Sequence, residues 1–265
     1  AERERFAQLN LAAGREAKAA TAHHSALGFF RAALRFLGDA SISPDGLAAR
    51  MVCGEAEFMT GDLAAAESRL AALQGVAGDG IFGADLTRLR SALYTTLGRF
   101  DLALDVGLAF LAKAGIAMPA APDDADIDRE YARLRESMDH HGMTGLRALP
   151  VAQDPLWRAL SDIFADLIPP ALYTNHNLVD MVLLRAINLA IAHGYSDASA
   201  DVCVCMNQIF GVRYGDYANA KAFGELALHL VDERGLGRYR GRVYMTYGTL
   251  VVPWALPARA ARDFI

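Results

Sequence analysis

The segment Gly61-Asp62-Leu63-Ala64-Ala65-Ala66 decides the fold of this chain, because its pattern returns twice. Gly98-Arg99-Phe100 and Gly215-Asp216-Tyr217 repeat the order of glycine, polar residue and apolar residue, and Ala103 and Ala220 repeat the small residue three positions later. A glycine supplies the positive φ that ends one helix, and an aspartate after it can cap the next helix. The pattern therefore predicts three tight turns, each joining two antiparallel helices.

A set of small residues places the first hairpin in the same register. Gly14 is followed twelve residues later by Ala26, and then by Phe30 and Ala33. Small residues let two helix backbones approach closely, and the aromatic ring fills the space beside them. When Gly14 is taken as the eighth position of its repeat, the fifteenth positions fall at 21, 61, 98 and 215, which are 40, 37 and 117 residues apart. Since 117 is three times 39, we predict a repeat of about 39 residues, and one further step places Gly248 at an eighth position.

This periodicity predicts an all-α fold, a tetratricopeptide-like, right-handed solenoid of about 14 helices. We expect residues 1–265 to form a single array, with clear repeats over 7–118 and 196–265 and degenerate repeats over 119–195. The chain does not open with methionine and stops inside a predicted helix. We therefore expect it to be a fragment of a larger protein.

The degenerate stretch still carries signals for helix ends. The carboxylates of Asp123-Asp124-Ala125-Asp126-Ile127-Asp128 suit a helix N-terminus, and we predict a helix from there to His141. The same run does not fit a calcium loop, because Arg129 stands where a glycine is required. Asp154-Pro155 is expected to start another helix that runs to about residue 168, and Gly194 is expected to end the one after it.

Composition and charge exclude several classes of protein. Of the 265 residues, 53% are hydrophobic and 22% are charged, and the net charge is −5. This composition favours a folded chain, and the acidic balance argues against a nucleic-acid partner. Three cysteines do not suggest a disulfide framework, and no uncharged apolar stretch reaches about 18 residues. We therefore expect a cytoplasmic protein that has no membrane partner.

No constellation of residues predicts catalysis. Cys203 and Cys205 are two positions apart on a predicted helix, so they point to different faces and suit buried packing better than a metal clamp. The adjacent pairs His23-His24 and His140-His141 lack a third ligand at a useful spacing. We interpret the chain as not an enzyme, with no catalytic residue, no cofactor and no metal.

The predicted repeat does define a candidate binding surface. In tetratricopeptide arrays the first helix of each pair lines a concave face through the second, fifth, ninth and twelfth positions of the unit. Here those positions mix large apolar groups with cations, which suits a peptide or a small ligand. The residues expected to bind are Arg15, Lys18, Met51, Glu55, Phe58, Arg88, Thr95 and Arg213. The other members of this face are Gln8, Leu11, Ala48, Asp85, Ala92, Val202, Cys205, Ile209 and Val212. The alternative is that neighbouring helices, or the rest of a longer protein, cover the apolar members.

Several stretches resemble the helical region of very large bacterial signalling proteins. Those stretches are Leu9-Asn10-Leu11-Ala12-Ala13-Gly14-Arg15-Glu16-Ala17-Lys18-Ala19, Ala56-Glu57-Phe58-Met59-Thr60-Gly61-Asp62, His193-Gly194-Tyr195-Ser196, Gly215-Asp216-Tyr217 and Val252-Pro253-Trp254. Such proteins combine a serine/threonine-kinase-like domain, a predicted ATPase of the signal-transduction (STAND) type, the helical array, a GAF domain and often a sensor histidine kinase. The resemblance spans essentially the whole chain.

This resemblance implies a location and a role. The chain would be a non-catalytic protein-interaction or regulatory module that relays or restrains activity between neighbouring domains. Its partner would be a protein or peptide, in the first place the neighbouring domains of its parent. The alternative is a sensor that binds a small molecule or a peptide in the concave groove.

Overall fold

The chain is built almost entirely from helices. The computed structural model describes residues 2–38 and 42–264, in two compact units: one ends at Arg99 and the other begins at Phe100. The described residues hold twelve α-helices of seven residues or more, and their one β-type pairing is an isolated bridge between Val151 and Tyr195. The predicted all-α class is confirmed. The expected count of about 14 helices and a single solenoid across both units are not confirmed.

Within its described residues, the N-terminal unit consists of helices that pack in chain order. They are α1 (Glu2–Ala19), α2 (His23–Leu37), α3 (Pro44–Met59), α4 (Leu63–Ala71) and α5 (Ile81–Thr96). Ser43 caps α3 by accepting from the N–H of Gly46, and Pro44 occupies the first turn, where its missing N–H costs no helical hydrogen bond. Consecutive helices contact one another, so each apolar stripe is buried by its sequence neighbours.

Two hairpins of this unit repeat one contact. A Cβ placed on Gly14 would lie 2.4 Å from the ring of Phe30, and one placed on Gly54 would lie 2.8 Å from Leu70. Both glycines therefore allow a close crossing with the second helix, and the two pairs are offset by the same 40 residues. Ala26 and Ala33 are fully buried, as the spacing from Gly14 predicted.

The predicted turn glycines all adopt the left-handed conformation, with φ of 85° at Gly61, 70° at Gly98 and 68° at Gly215. After the first of them, the N–H of Asp62 donates to the carbonyl of Glu57 at 2.9 Å, and the Asp62 side chain caps α4. This arrangement satisfies carbonyls that would otherwise be unpaired at the end of a helix. The small residues that follow the turns are buried as predicted, at Ala66, Ala103 and Ala220.

The C-terminal unit contains longer helices and more irregular ones. They are α6 (Phe100–Lys113), α7 (Asp124–Ala148), α8 (Pro155–Leu172), α9 (His176–His193), α10 (Asp197–Cys205), α11 (Tyr217–Asp232), α12 (Arg240–Thr246) and the short α13 (Val252–Ala255). A 3₁₀ segment follows at Ala258–Asp263. The carboxylate run predicted to start a helix does so, since Asp123 and Asp126 form a capping box at the start of α7.

One predicted helix end is confirmed and another differs. Gly142 has a non-helical φ of 60° and ψ of 168°, so the first helix of α7 ends at His141 as predicted, and a short second helix within the range of α7 follows the kink to Ala148. Helix α8 runs through Pro169 and Pro170 to Leu172 instead of ending near 168. Pro170 and Ala171 are buried there, so packing outweighs the backbone hydrogen bonds that the prolines cannot donate. The predicted stop at Gly194 is confirmed, with φ of 96°.

Two π-helical segments interrupt the C-terminal unit. They span Gln208–Arg213 and Tyr247–Val251, so they begin 39 residues apart. A π segment holds one extra residue within a helical turn and is often found at functional positions. The extra residue explains why the N–H of Asp216 reaches back to the carbonyl of Phe210, six residues earlier, whereas Asp62 reaches back five.

Candidate functional site

Two of the three charged residues predicted to bind on α1 and α3 are joined to each other. Lys18 Nζ lies 2.6 Å from Glu55 Oε1, so these two predicted binding residues form an ion pair. Gln8 Nε2 donates to Asp45 Oδ2 at 2.7 Å, which gives a second polar link between the same two helices. Arg15 is exposed and has no hydrogen-bond or ion-pair partner among the described residues. Of the two predicted binding cations on α1, Arg15 and Lys18, it is therefore the one whose charge is not already paired.

The apolar residues predicted on this face are partly covered. Met51 and Phe58 are half-buried and pack against a cluster of leucines from α4 and α5. This supports the alternative weighed from the sequence, in which neighbouring helices cover them. Leu11, expected to be exposed, is instead 1% exposed in a cluster with Phe30, so its assignment to the binding face is wrong.

On α5, the predicted binding residues Arg88 and Thr95 are both half-buried. The hydroxyl of Thr95 is buried and has no hydrogen-bond partner within the described ranges.

In the C-terminal unit the predicted face is mostly internal. Val202 is 2% exposed and Ile209 is fully buried, so the prediction that they are exposed is wrong. Helix α10 contacts α8, α9 and α11, which bury most of its sides. Cys205 is half-buried, and only Val212 of this group is exposed.

Arg213, the last predicted binding residue, is held in a network of hydrogen bonds. One guanidinium nitrogen, Nη1, donates to Asp180 Oδ2 and to Asn177 Oδ1, each at 2.9 Å. The other, Nη2, donates to Asp124 Oδ1 at 2.6 Å. The network joins the start of α7, the start of α9 and the end of the first π-helical segment. These hydrogen bonds pair Arg213 with two carboxylates, so the side chain helps to fix the positions of these elements.

Burial and the charge of Arg213 shift the pKa values of the surrounding acids in opposite directions. Hydrogen bonds from Arg213 and Asn177 lower the pKa of Asp124, which lies at the surface. Burial raises the pKa of Asp180, although the hydrogen bond from Arg213 opposes this. Burial and the hydrogen bond from its hydroxyl to Asp128 raise the pKa of Tyr214 to about 12.

Buried carboxylates elsewhere are also paired with arginines. Asp201 is fully buried and accepts from Arg242 Nε at 2.8 Å, and Asp162 is bound by Arg238 at 2.5 Å. Unpaired, such a buried charge would be strongly destabilising. The remaining pairs are Glu57 with Arg69 and Arg31, and Glu130 with Arg185 and Arg133. Apart from Glu130 with Arg133, which lie within α7, the pairs join different segments of the chain, and we assign them a structural role.

An exposed apolar surface lies near the two π-helical segments. The rings of Tyr217 and Trp254 stack with centroids 5.7 Å apart, and Trp254 is 63% exposed. The ring of Tyr217 lies against the backbone of Gly211, next to the exposed Val212. Leu250, one turn before Trp254, is also exposed. We call Val212, Tyr217, Leu250 and Trp254 the aromatic surface.

A cleft of about 320 Å³ opens between α6 and the turn from α8 to α9. Its floor is apolar and includes the buried Leu104 and Leu178. Asp101 and Asp105 stand on its rim, both exposed, and neither has a hydrogen-bond or ion-pair partner among the described residues. We call this the acidic cleft; its lining is completed by Leu108, Ala120, Thr174 and Asn175.

Sequence reasoning missed both surfaces. The sequence places Tyr217 in a turn and Trp254 in one of the stretches that carry the resemblance, but nothing local to either residue shows that their rings stack. Asp101 and Asp105 did carry a signal, since two carboxylates four residues apart lie on one face of a helix. The spacing of the two carboxylates indicates a site only together with the turn from α8 to α9, which forms the opposite side of the cleft.

Comparisons with known proteins give no family. No protein-family model, no curated protein and no solved structure matches this chain. Within the described ranges, no group of three or more His, Cys, Asp and Glu side chains could hold a metal ion, and no helix is long and apolar enough to span a bilayer.

Proposed function

We propose that this chain is a non-catalytic protein-interaction module, and that a protein partner binds its aromatic surface. The observation that carries the proposal is the stacked pair of Tyr217 and Trp254, which leaves 63% of the tryptophan exposed. Tryptophan and tyrosine are enriched among residues that dominate protein–protein binding energy, and clustered exposed apolar groups mark interaction sites. Stacking holds both rings in one orientation before a partner arrives, which lowers the entropic cost of binding.

The scaffold under this surface supports the proposal. The first π-helical segment carries Gly211, on which the Tyr217 ring lies, and Arg213 fixes the end of that segment to α7 and α9. The second π-helical segment leads directly into the helix that carries Trp254. The ring of Tyr217 therefore lies on a segment that Arg213 joins to α7 and α9, and the ring of Trp254 belongs to a helix whose first residue, Val252, is fully buried.

We further propose a regulatory role within a larger signalling protein. The resemblance of the quoted stretches supports a position between an ATPase domain and an output domain. In that arrangement the aromatic surface would contact a neighbouring domain and restrain or relay its activity.

The direct experiment measures binding between this chain and the separately purified neighbouring domains of its parent, by isothermal titration calorimetry. We expect the double variant Tyr217→Ala/Trp254→Ala to bind at least ten-fold more weakly than the natural sequence, with an unchanged circular dichroism spectrum. Phe29→Ala, which removes an exposed ring from the other unit, is the matched control and should bind normally. Absence of binding to every neighbouring domain, or equal affinity of the double variant, would overturn the proposal.

A further inference from the structure

We infer that the acidic cleft binds a basic peptide segment of a protein partner, with an apolar side chain on its floor and arginine or lysine at its rim. The inference rests on the proposed interaction function but concerns a second surface of the C-terminal unit. The cleft lies between α6 and the turn that joins α8 to α9, and its volume of about 320 Å³ is at the lower end of the range for ligand sites.

Three of the four polar groups on the rim accept hydrogen bonds; the fourth, Asn175, uses its Oδ1 to cap α9 and keeps its N–H₂ as a donor. Asp101 and Asp105 offer carboxylate oxygens that no described residue uses. The Thr174 hydroxyl donates to the carbonyl of Pro170 at 2.6 Å, so toward the cleft it can only accept. None of the eight lining residues is a cation. The two free carboxylates therefore favour an ammonium or guanidinium group at this rim.

The two carboxylates also repel each other. Asp101 and Asp105 are four residues apart on α6, an arrangement that destabilises a helix when both residues carry the same charge. The helix N-terminus explains an acid at Asp101, in the first turn of α6, but not at Asp105. A bound cation would relieve this repulsion, and two cations one helical turn apart would relieve it most.

An aromatic pair beside the rim gives a second, independent argument. The rings of Phe100 and Tyr173 stack with centroids 5.2 Å apart, and Tyr173 is 72% exposed. Phe100 precedes Asp101 and Tyr173 precedes Thr174, so the stacked pair joins the same two segments that form the cleft, although neither ring lines it. An exposed aromatic face beside carboxylates is the setting in which arginine and lysine make cation–π contacts.

The open shape of the cleft favours a peptide over a small molecule. A small-molecule site normally encloses most of its ligand, whereas here Asp101, Asp105, Thr174 and Asn175 are all exposed. The volume of about 320 Å³ leaves room for one apolar side chain, such as leucine, that projects from a longer chain. Leucine in a groove and flanking arginines on the rim are how an amphipathic basic helix binds.

The test uses a labelled, alanine-based helical peptide that carries two arginines four residues apart and two leucines on the same face. Binding is measured by fluorescence anisotropy at low ionic strength. We expect Asp101→Asn/Asp105→Asn to weaken binding at least ten-fold. The control Glu136→Gln/Asp139→Asn removes the same two charges from an exposed face of α7 and should change affinity less than two-fold. A peptide in which citrulline replaces both arginines should bind no better than the double Asp variant binds the original peptide.

Three results would overturn the inference. They are no binding of the arginine peptide, an equal loss in the two double variants, and binding of free agmatine without binding of the peptide, which would assign the cleft to a small amine. The variant Tyr217→Ala/Trp254→Ala should bind the peptide normally. The experiments can therefore contradict peptide binding at the acidic cleft without contradicting partner binding at the aromatic surface, and the reverse.

Discussion

Thr21 and Gly61 hold the same left-handed backbone conformation at equivalent turns, with φ of 58° and 85°. In each turn the next residue donates its N–H to the carbonyl five residues back, from Ala22 to Ala17 and from Asp62 to Glu57, both at 2.9 Å. Glycine adopts this conformation without steric cost, whereas a β-branched residue does so under strain. The first hairpin therefore stores strain that the second does not.

Replacing Thr21 with glycine should stabilise the protein. We expect Thr21→Gly to raise the free energy of unfolding by about 1 kcal/mol, because the left-handed conformation costs an L-residue about that much and the Thr21 side chain is exposed. The measurement is equilibrium unfolding in urea. In the opposite direction, Gly61→Ala should lower stability by a similar amount. A destabilising Thr21→Gly would show that the turn is not strained.

The helix crossing at Gly14 makes a second prediction. Gly14→Ala should destabilise the protein by about 2 kcal/mol, because the added methyl would overlap the fully buried ring of Phe30 and the overlap outweighs the better helix propensity of alanine. Gly28→Ala in α2 is the matched control. A Cβ at Gly28 would meet nothing within 4 Å, so this change should stabilise by about 0.5–1 kcal/mol.

The same unfolding measurements include a rescue. Phe30→Leu removes part of the ring that the new methyl would meet, so the double variant Gly14→Ala/Phe30→Leu should lose less stability than the two single changes predict together. Additive losses would contradict the close crossing.

A third prediction concerns the buried pair of Asp201 and Arg242. Arg242→Met should cost about 3–5 kcal/mol at neutral pH, because it leaves a fully buried carboxylate without its cation. Burial already raises the pKa of Asp201 against the pull of Arg242. In the variant this carboxyl loses its proton at a higher pH in the folded state than in the unfolded state, so stability falls as the pH rises above the unfolded pKa of about 4.

The loss of unfolding free energy caused by Arg242→Met should therefore be smaller at acidic pH. Comparing urea unfolding of both proteins at neutral pH and near pH 4 tests this directly. Asp201→Asn/Arg242→Met, which removes the charge altogether, should recover part of the loss and show no such pH dependence. A loss under about 1 kcal/mol at neutral pH would mean that the pair carries little of the stability.

The thiol of Cys53 makes a fourth prediction. Burial raises its pKa to about 11, which outweighs the opposite effect of Arg69. In the unfolded state the thiol has a pKa of about 8.5. Between these two pKa values the unfolded state binds fewer protons than the folded state, so the free energy of unfolding falls as the pH rises. Cys53→Ala should have a flatter stability profile from about pH 9 to 11 than the natural sequence. Parallel profiles would contradict the raised pKa.

The sequence predicts features that depend on a few adjacent residues. Gly61 and Gly215 end their helices, and Asp123 and Asp154 start theirs, because turn and capping chemistry is local. The close crossing at Gly14 also follows from spacing alone.

Exposure was predicted poorly because it depends on distant parts of the chain. Leu11, Val202 and Ile209 occupy positions that a regular array would leave open, and their neighbours in space bury them. The π-helical segments cannot be read from a period of 3.6 residues, since they break it. The acidic cleft forms only because α6 lies beside a turn more than sixty residues further along the chain.

The ion pairs and side-chain hydrogen bonds described above also affect the order in which the chain folds. In the N-terminal unit the links from Lys18 to Glu55 and from Gln8 to Asp45 each join residues 37 apart. In the C-terminal unit Arg213 reaches Asp124 across 89 residues and Tyr214 reaches Asp128 across 86. Contacts between distant residues require larger loops to close first and slow folding. On the ribosome the N-terminal unit can complete its links soon after it emerges. In α7, Asp124 lacks its partner Arg213 and Asp128 lacks its partner Tyr214 until the first π-helical segment has been synthesised.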